Sequence, residues 1–76
     1  MLELFSSKTC QYCEQVRDRL DLDGLEYVEH DVDDDRRARE RLTALVGSNA
    51  MVPVLVDDGR VVQVGVDGRG CYVSAG

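Results

Sequence analysis

The clearest candidates for reactive residues in this chain are two cysteines separated by two residues, in the segment Cys10-Gln11-Tyr12-Cys13. Two thiols at this spacing can alternate between a dithiol and a disulfide, or they can supply half of a zinc site. The thiolate is the reactive form of cysteine, and it is favoured at a helix N-terminus, where unpaired N–H groups and the helix dipole are positive. The chemistry therefore depends on the element that holds Cys10.

The residues around this motif predict a strand, a loop and then a helix. Residues 1–5 are mostly apolar, and the polar residues 6–9 predict a loop in which Thr9 is a suitable N-cap. The helix is predicted from three apolar positions at helical spacing, Cys13, Val16 and Leu20, and from the stop signal Asp23-Gly24. This pattern places Cys10 at the N-terminus of the helix.

The two cysteines are therefore expected to have different roles. Cys10 is predicted to be the nucleophile, with a lowered pKa, and Lys8 should add positive charge nearby. Cys13 lies one turn further into the helix, where it would be more buried and less ionised. These properties suit a thiol that resolves a mixed disulfide.

The remaining residues predict an α/β fold with the element order β-α-β-α-β-β. A strand is predicted within 26–32, and the acids of 33–35 precede a second helix that Gly47 closes. A βαβ unit makes the first two strands parallel, and the later strands, 52–56 and 60–66, form an antiparallel hairpin around Asp58-Gly59. The prediction is a four-stranded mixed sheet with two helices packed on it.

The hairpin register brings the end of the chain to the Pro53 region. With Asp58 and Gly59 as the turn, the predicted pairs are Asp57 with Arg60, Val54 with Gln63, Pro53 with Val64 and Val52 with Gly65. Residues 66–76 contain three glycines and show no helical period, so they predict a loop or tail.

Composition restricts the class of protein. The 76 residues fit one domain, and a net charge of −6 disfavours nucleic acid as a partner. The chain shows neither a signal-peptide pattern nor an apolar stretch that approaches a membrane span, so a cytoplasmic protein without a membrane partner is expected. In a reducing compartment a cysteine pair is more often catalytic or metal-binding than structural. Three cysteines are an odd number, which leaves Cys71 outside the pair.

The chain resembles the glutaredoxins, within the thioredoxin fold, over nearly all of residues 1–66. Its Cys10-Gln11-Tyr12-Cys13 is similar to the Cys-Pro-Tyr-Cys motif of that family, and Met51-Val52-Pro53 is similar to the Thr-Val-Pro segment whose cis-proline faces the active cysteine. The sequence also resembles the short glutaredoxin-like Uxx-star branch, many of whose members carry selenocysteine at the position of Cys10. The resemblance implies a glutaredoxin-like domain over 1–66 and a glycine-containing tail over 67–76, in place of the helix that ends other glutaredoxins.

The resemblance also implies an activity and a substrate site. It implies a thiol–disulfide oxidoreductase that reduces protein disulfides or glutathione mixed disulfides, with glutathione as co-substrate and no bound cofactor. Glutathione would add to the backbone of Val52 like an extra strand. The substrate-binding residues implied in this way are Lys8, Tyr12, Val52, Pro53, Gly65 and Asp67.

Several alternatives remain open from the sequence. Electrons could come from a thioredoxin reductase-type enzyme instead of glutathione. Cys10 could alternatively help to hold an iron–sulfur cluster or zinc, with glutathione or another chain supplying ligands. Cys71 is only six residues beyond Gly65, which corresponds to about 20 Å of extended chain. It is either a third redox thiol that approaches Cys10 or an idle cysteine of the tail. His30 is interpreted as a surface or satisfied histidine, and the acids before the second helix as its capping residues.

Overall fold

The structure, a computed structural model, describes residues 1–73. The predicted α/β order with two helices and a four-stranded mixed sheet is confirmed. The elements are β1 (Leu2–Ser6), α1 (Gln11–Leu22), β2 (Tyr27–Asp31), α2 (Arg36–Val46), β3 (Met51–Val52), β4 (Val54–Asp57), β5 (Arg60–Val64) and β6 (Cys71–Tyr72). The main sheet has the order β2-β1-β4-β5, and β3 and β6 form a separate two-stranded sheet. Strand β1 pairs with β2 in parallel and with β4 in antiparallel, as the βαβ and hairpin rules require.

The central strand β1 contributes to both layers of the core because successive side chains of a strand point to opposite faces. Phe5 is fully buried in the larger cluster, together with Leu42 of α2, whereas Leu4 packs with Val16 and Leu20 of α1. The two helices therefore cover opposite faces of the sheet. Neither of them is long and apolar enough to cross a membrane.

Helix α1 begins one residue later than a Thr9 cap would require. Its N-cap is Cys10, with φ −94° and ψ 113°, and no side chain provides a capping hydrogen bond there. Thr9 instead belongs to a turn in which the amide of Cys10 donates to the carbonyl of Ser7 at 3.3 Å. The N-cap position, where a residue with a hydroxyl or carboxylate is usual, is thus occupied by a cysteine.

Helix α2 has the capping residues that the sequence predicts. The carboxylate of Asp35 accepts hydrogen bonds from the amides of Arg37 and Ala38, and Gly47 follows the last turn with φ 96°. Asp35 thereby satisfies two amides that have no partner within the helix. This capping role confirms the interpretation of that acid.

The predicted strand 52–56 is divided in two by Pro53. The Val52–Pro53 peptide bond is cis, so β3 ends at Val52 and β4 begins at Val54. The predicted pair of Asp57 with Arg60 is present, but a bulge between Leu55 and Val56 shifts the later pairs by one residue, and Val54 lies opposite Val64. The hairpin still returns to the proline, because the amide of Gly65 donates to the carbonyl of Pro53 at 2.7 Å.

The segment after β5 is not the loop or tail that its glycines predict. Val66 and Arg69 exchange backbone hydrogen bonds of 2.7 and 2.9 Å around Asp67-Gly68, both of which have positive φ. This geometry is a tight hairpin turn of the primed type. The chain then forms β6, which pairs antiparallel with β3, and we call residues 65–73 the C-terminal hairpin. The predicted tail extends to residue 76, and its last three residues lie outside the described part of the chain.

Candidate active site

Cys10 lies between β1 and α1, at the N-terminus of the helix, as the sequence predicts. It is only 3% exposed, and its Sγ lies 3.8 Å from the carbonyl oxygen of Val52, which precedes the cis-proline. Helix α1 begins directly after it, so Cys10 lies at the positive end of the helix dipole. This position favours a thiolate once Cys10 is reduced.

Cys71 is the cysteine that reaches Cys10. The two residues form a disulfide across 61 positions of sequence, with a Cα–Cα distance of 5.9 Å. Cys71 lies directly opposite Val52 in the β3–β6 pair. The structure thus has Cys71 next to Cys10, and the role of Cys71 as a redox thiol stays a prediction.

Two glycines allow the C-terminal hairpin to lie so close to β3. A Cβ at Gly70 would come within 2.5 Å of both the carbonyl oxygen of Val52 and Cγ of Met51. A Cβ at Gly65 would come within 2.5 Å of the carbonyl oxygen of Arg69, and Gly65 also has φ +71°. A side chain at Gly70 would push β6 away from β3, and one at Gly65 would clash within the C-terminal hairpin, so both glycines help to hold Cys71 on Cys10.

Cys13 has different surroundings. It is a free thiol with no exposed surface, in the buried cluster that also contains Phe5 and Val32. Burial raises the pKa of the Cys13 thiol above its ordinary value, although a backbone hydrogen bond from Ser7 opposes the shift. The predicted pair of Cys10 and Cys13 is thus not the pair that is bonded here.

Lys8 is held by two acidic residues, one at the end of β2 and one in the loop after it. Its ammonium group donates to the carboxylate of Asp34 and lies 3.6 Å from that of Asp31. The hydrogen bond from Lys8 to Asp34 raises the pKa of Lys8, so the lysine stays charged. Part of its field at Cys10 is offset by these two carboxylates.

The other residues implied by the resemblance lie around the same edge. Tyr12 packs against the buried cluster that contains Cys10 and Val52, and Pro53 is buried beside them. Gly65 is joined to Pro53 by a backbone hydrogen bond, whereas Asp67 is an exposed residue of the hairpin turn. The structure thus brings together most of the predicted site and leaves Asp67 at the tip of the hairpin.

The pairing of β6 with β3 was not predicted from the sequence. Cys71-Tyr72 is too short to show an alternating pattern, and its partner β3 has only two residues. The available signal was the Asp67-Gly68 dipeptide, which is a hairpin turn signal like Asp58-Gly59 earlier in the chain.

Comparison with known proteins agrees with this geometry. Residues 2–62 match the protein family described as Glutaredoxin, which is most of the chain. The chain belongs to the glutaredoxin family. A relative from Clostridium pasteurianum, described as an uncharacterized glutaredoxin-like 8.6 kDa protein in the rubredoxin operon, is 29% identical to this chain over 62 residues. That match covers 82% of this chain and 81% of the relative.

Two solved structures resemble this chain in fold. The thioredoxin-like protein BC3987 has a TM-score of 0.73 and 34% identity, over 82% of this chain and 84% of that one. A buckwheat glutaredoxin, solved as a complex with glutathione, has a TM-score of 0.68 and 25% identity. The match covers 84% of this chain but 59% of the buckwheat protein, so the present chain corresponds to only part of that relative.

Proposed function

We propose that this chain is a thiol–disulfide oxidoreductase in which Cys10 attacks a disulfide and Cys71 resolves the product. The observation that carries the proposal is the Cys10–Cys71 disulfide at the N-terminus of α1, beside the cis-proline. Family membership supports thiol redox chemistry in general. The choice of Cys71 over Cys13 rests on which sulfur is bonded to Cys10 and on the burial of Cys13.

The reaction takes two exchange steps. The thiolate of Cys10 attacks one sulfur of a target disulfide, forms a mixed disulfide and expels the other target sulfur as a thiolate, which takes up a proton. The thiolate of Cys71 then attacks Sγ of Cys10, releases the second target thiol and leaves the Cys10–Cys71 disulfide. The target gains two electrons, and the protein must be reduced again by an external thiol.

Glutathione is the first proposed reductant and co-substrate. Its support is the family and the buckwheat relative solved with glutathione, together with the backbone of Val52 beside Cys10. A thioredoxin reductase-type enzyme is a second candidate, and one observation favours it. In the oxidised form, the backbone edge of Val52 that glutathione would use is paired with Cys71 of β6. Protein disulfides are the proposed targets in either case.

The test is disulfide reduction measured in parallel with glutathione and with a thioredoxin reductase system. We expect Cys10→Ser to lose activity by about 100-fold or more, because it removes the attacking thiolate. Cys71→Ser should slow the reduction of disulfide targets and accumulate a mixed disulfide on Cys10, whereas Cys13→Ser should leave resolution intact.

Two results would contradict parts of the proposal. If Cys13→Ser accumulated the mixed disulfide and Cys71→Ser did not, Cys13 would be the resolving thiol. If the purified protein held iron or zinc through Cys10 and showed negligible disulfide turnover, it would be a metal-binding module instead.

A further inference from the structure

The two sulfurs of the Cys10–Cys71 disulfide differ in their access to solvent. Cys10 is 3% exposed and belongs to the buried cluster, which also includes Val52 and Val54. Cys71 is partly exposed, and its neighbour Tyr72 is 72% exposed. A thiolate must approach a disulfide sulfur closely from the side opposite its partner, so access determines which sulfur is attacked.

The pairing of β3 with β6 blocks the approach of a peptide-like thiol to Cys10. The edge of β3 on which an incoming peptide-like thiol could align is already paired with β6, in which Cys71 lies opposite Val52. The sulfur of Cys10 is also close to the carbonyl oxygen of Val52, at 3.8 Å. A reductant therefore meets Cys71 before it meets Cys10.

The stability of the departing thiolate also favours attack on Cys71. Attack on Cys71 expels the thiolate of Cys10, which forms at the N-cap of α1, where the helix amides stabilise negative charge. Attack on Cys10 would expel the thiolate of Cys71 from a two-residue strand without such stabilisation. Exchange is faster when the departing thiolate is the more stable one.

We infer that Cys71 is the entry point for reducing equivalents, so electrons pass from the reductant to Cys71 and from there to Cys10. The inference rests on the proposed function and adds the direction of electron flow. A reductant thiolate attacks Sγ of Cys71, the Cys10–Cys71 bond breaks, and Cys10 leaves as a thiolate. A second thiol of the reductant then attacks the reductant sulfur bound to Cys71, forms the oxidised reductant and releases the thiolate of Cys71.

The first step also opens the site. While the disulfide is intact, it fixes β6 on β3. Once the reductant is joined to Cys71, what ties the C-terminal hairpin to the site, among residues 1–73, is its backbone pairs with residues 50–53 and packing. Reduction therefore removes the crosslink that holds β6 on the edge of Val52, in the same step in which Cys10 becomes a nucleophile.

The experiment maps the first mixed disulfide on the full-length oxidised protein. The oxidised chain is mixed with limiting 2-mercaptoethanol, which is small enough to reach any accessible sulfur, and quenched with acid at increasing times. Peptide mass mapping then locates the adduct. We expect the adduct on Cys71 to exceed that on Cys10 by about tenfold when extrapolated to zero time, because access and leaving group act together.

Two controls test whether the distribution of the adduct depends on the third thiol and on the folded structure. The Cys13→Ser variant excludes transfer of the adduct through the third thiol and should give the same distribution. The same reaction in concentrated urea exposes both sulfurs and should make the distribution nearly even.

An adduct found equally on Cys10, or preferentially there, in the folded protein would overturn the inference and leave the oxidoreductase proposal standing. Failure of the oxidised protein to form the Cys10–Cys71 bond would overturn both this inference and the resolving role of Cys71. Unchanged disulfide turnover in Cys10→Ser, measured separately, would overturn the proposed function itself.

Discussion

Cys10 and Cys13 are one helical turn apart, but their surroundings give them different reactivity. Cys10 occupies the N-cap of α1, and Cys13 is enclosed in the core, where burial raises its pKa. The sequence predicts this contrast because Cys13 lies at helical spacing from Val16 and Leu20, on the apolar face of the helix. What it does not predict is that the inward thiol is left unbonded.

The first prediction concerns alkylation of the reduced protein. We expect iodoacetamide at neutral pH to modify Cys10 at least about tenfold faster than Cys13, because the helix N-terminus favours the thiolate of Cys10 and burial disfavours that of Cys13. The measurement is the rate of modification at each cysteine by peptide mass mapping, with Cys13→Ser as a control that should leave the rate at Cys10 unchanged. Equal rates in the folded protein would show that the helix N-terminus does not activate Cys10.

At the scale of elements, the decisive contact is that between β3 and β6. Each strand has two residues, so the backbone pairs alone are weak, and the close approach depends on Gly70. Val66 packs on the α1 side of the sheet, while Cys71 and Val73 pack on the α2 side. The C-terminal hairpin is thus fixed by packing on both faces.

The second prediction tests this contact without changing a cysteine. In Gly70→Ala the new methyl group would meet Val52 and Met51, and the strain should destabilise the β3–β6 contact by about 1–3 kcal/mol. We expect a clearly smaller fraction of Cys10–Cys71 disulfide in a fixed glutathione redox buffer, measured by mass spectrometry after acid quenching. Gly59→Ala, in the distant β4–β5 turn, is the control for general backbone strain and should leave that fraction near the wild-type value. An unchanged fraction in Gly70→Ala would contradict the role given to this glycine.

Another element-scale contact joins β1 to α2. Glu3 accepts hydrogen bonds of 2.9 and 3.1 Å from Arg41 and lies 3.0 Å from His30. The hydrogen bonds from Arg41, and then that from His30, lower the pKa of Glu3 to about 2. The carboxylate is therefore much more acidic in the folded protein than in the unfolded chain.

The third prediction is a loss of stability in acid. Because the folded pKa of Glu3 is depressed, its contribution is complete above its unfolded value of 4.5 and is lost as the pH falls to about 2. We expect this contribution to be about 1–3 kcal/mol, since Arg41 is half exposed and partly screened by solvent. The measurement is urea unfolding at a series of pH values. The free energy of unfolding of Glu3→Gln should fall less steeply than that of the wild type as the pH falls through this range. Glu40→Gln, which alters an exposed pair with Arg36, should retain the wild-type slope, and a wild-type slope in Glu3→Gln would refute the assignment.

For the whole molecule, the Cys10–Cys71 bond closes most of the chain into one loop. It joins residues 61 positions apart, so it restricts the unfolded chain strongly. A small domain has limited core to stabilise it, and a crosslink of this span is a large addition. The redox state should therefore change the stability as well as the chemistry of the protein.

The fourth prediction follows from this crosslink. The oxidised protein should be more stable to urea than the reduced protein by about 2–4 kcal/mol, because the loop lowers the entropy of the unfolded chain. Cys71→Ser should remove the difference between oxidising and reducing conditions, whereas Cys13→Ser should keep it. A stability gap that persisted in Cys71→Ser would mean that another cysteine pair forms the crosslink.

The sequence by itself determined the features that depend on near neighbours along the chain. The helix after Cys10, the capping by Asp35 and the turn at Asp58-Gly59 follow from local propensities, which act over a few residues. The predicted cap of the first helix, Thr9, was wrong by one residue, because the N-cap is Cys10. The register of the hairpin was predicted correctly only between the turn and the bulge at Leu55 and Val56, because a bulge depends on packing across the sheet.

Only the tertiary structure decided which cysteine is the partner of Cys10. The sequence spacing favours Cys13, but a disulfide needs two sulfurs brought together with suitable direction, and spacing alone does not supply this. Cys71 meets that requirement because β5 returns to Pro53, the glycines at 65 and 70 permit close approach, and β6 pairs with β3. Each of these conditions joins residues that are distant in sequence, so none can be read from the motif around Cys10.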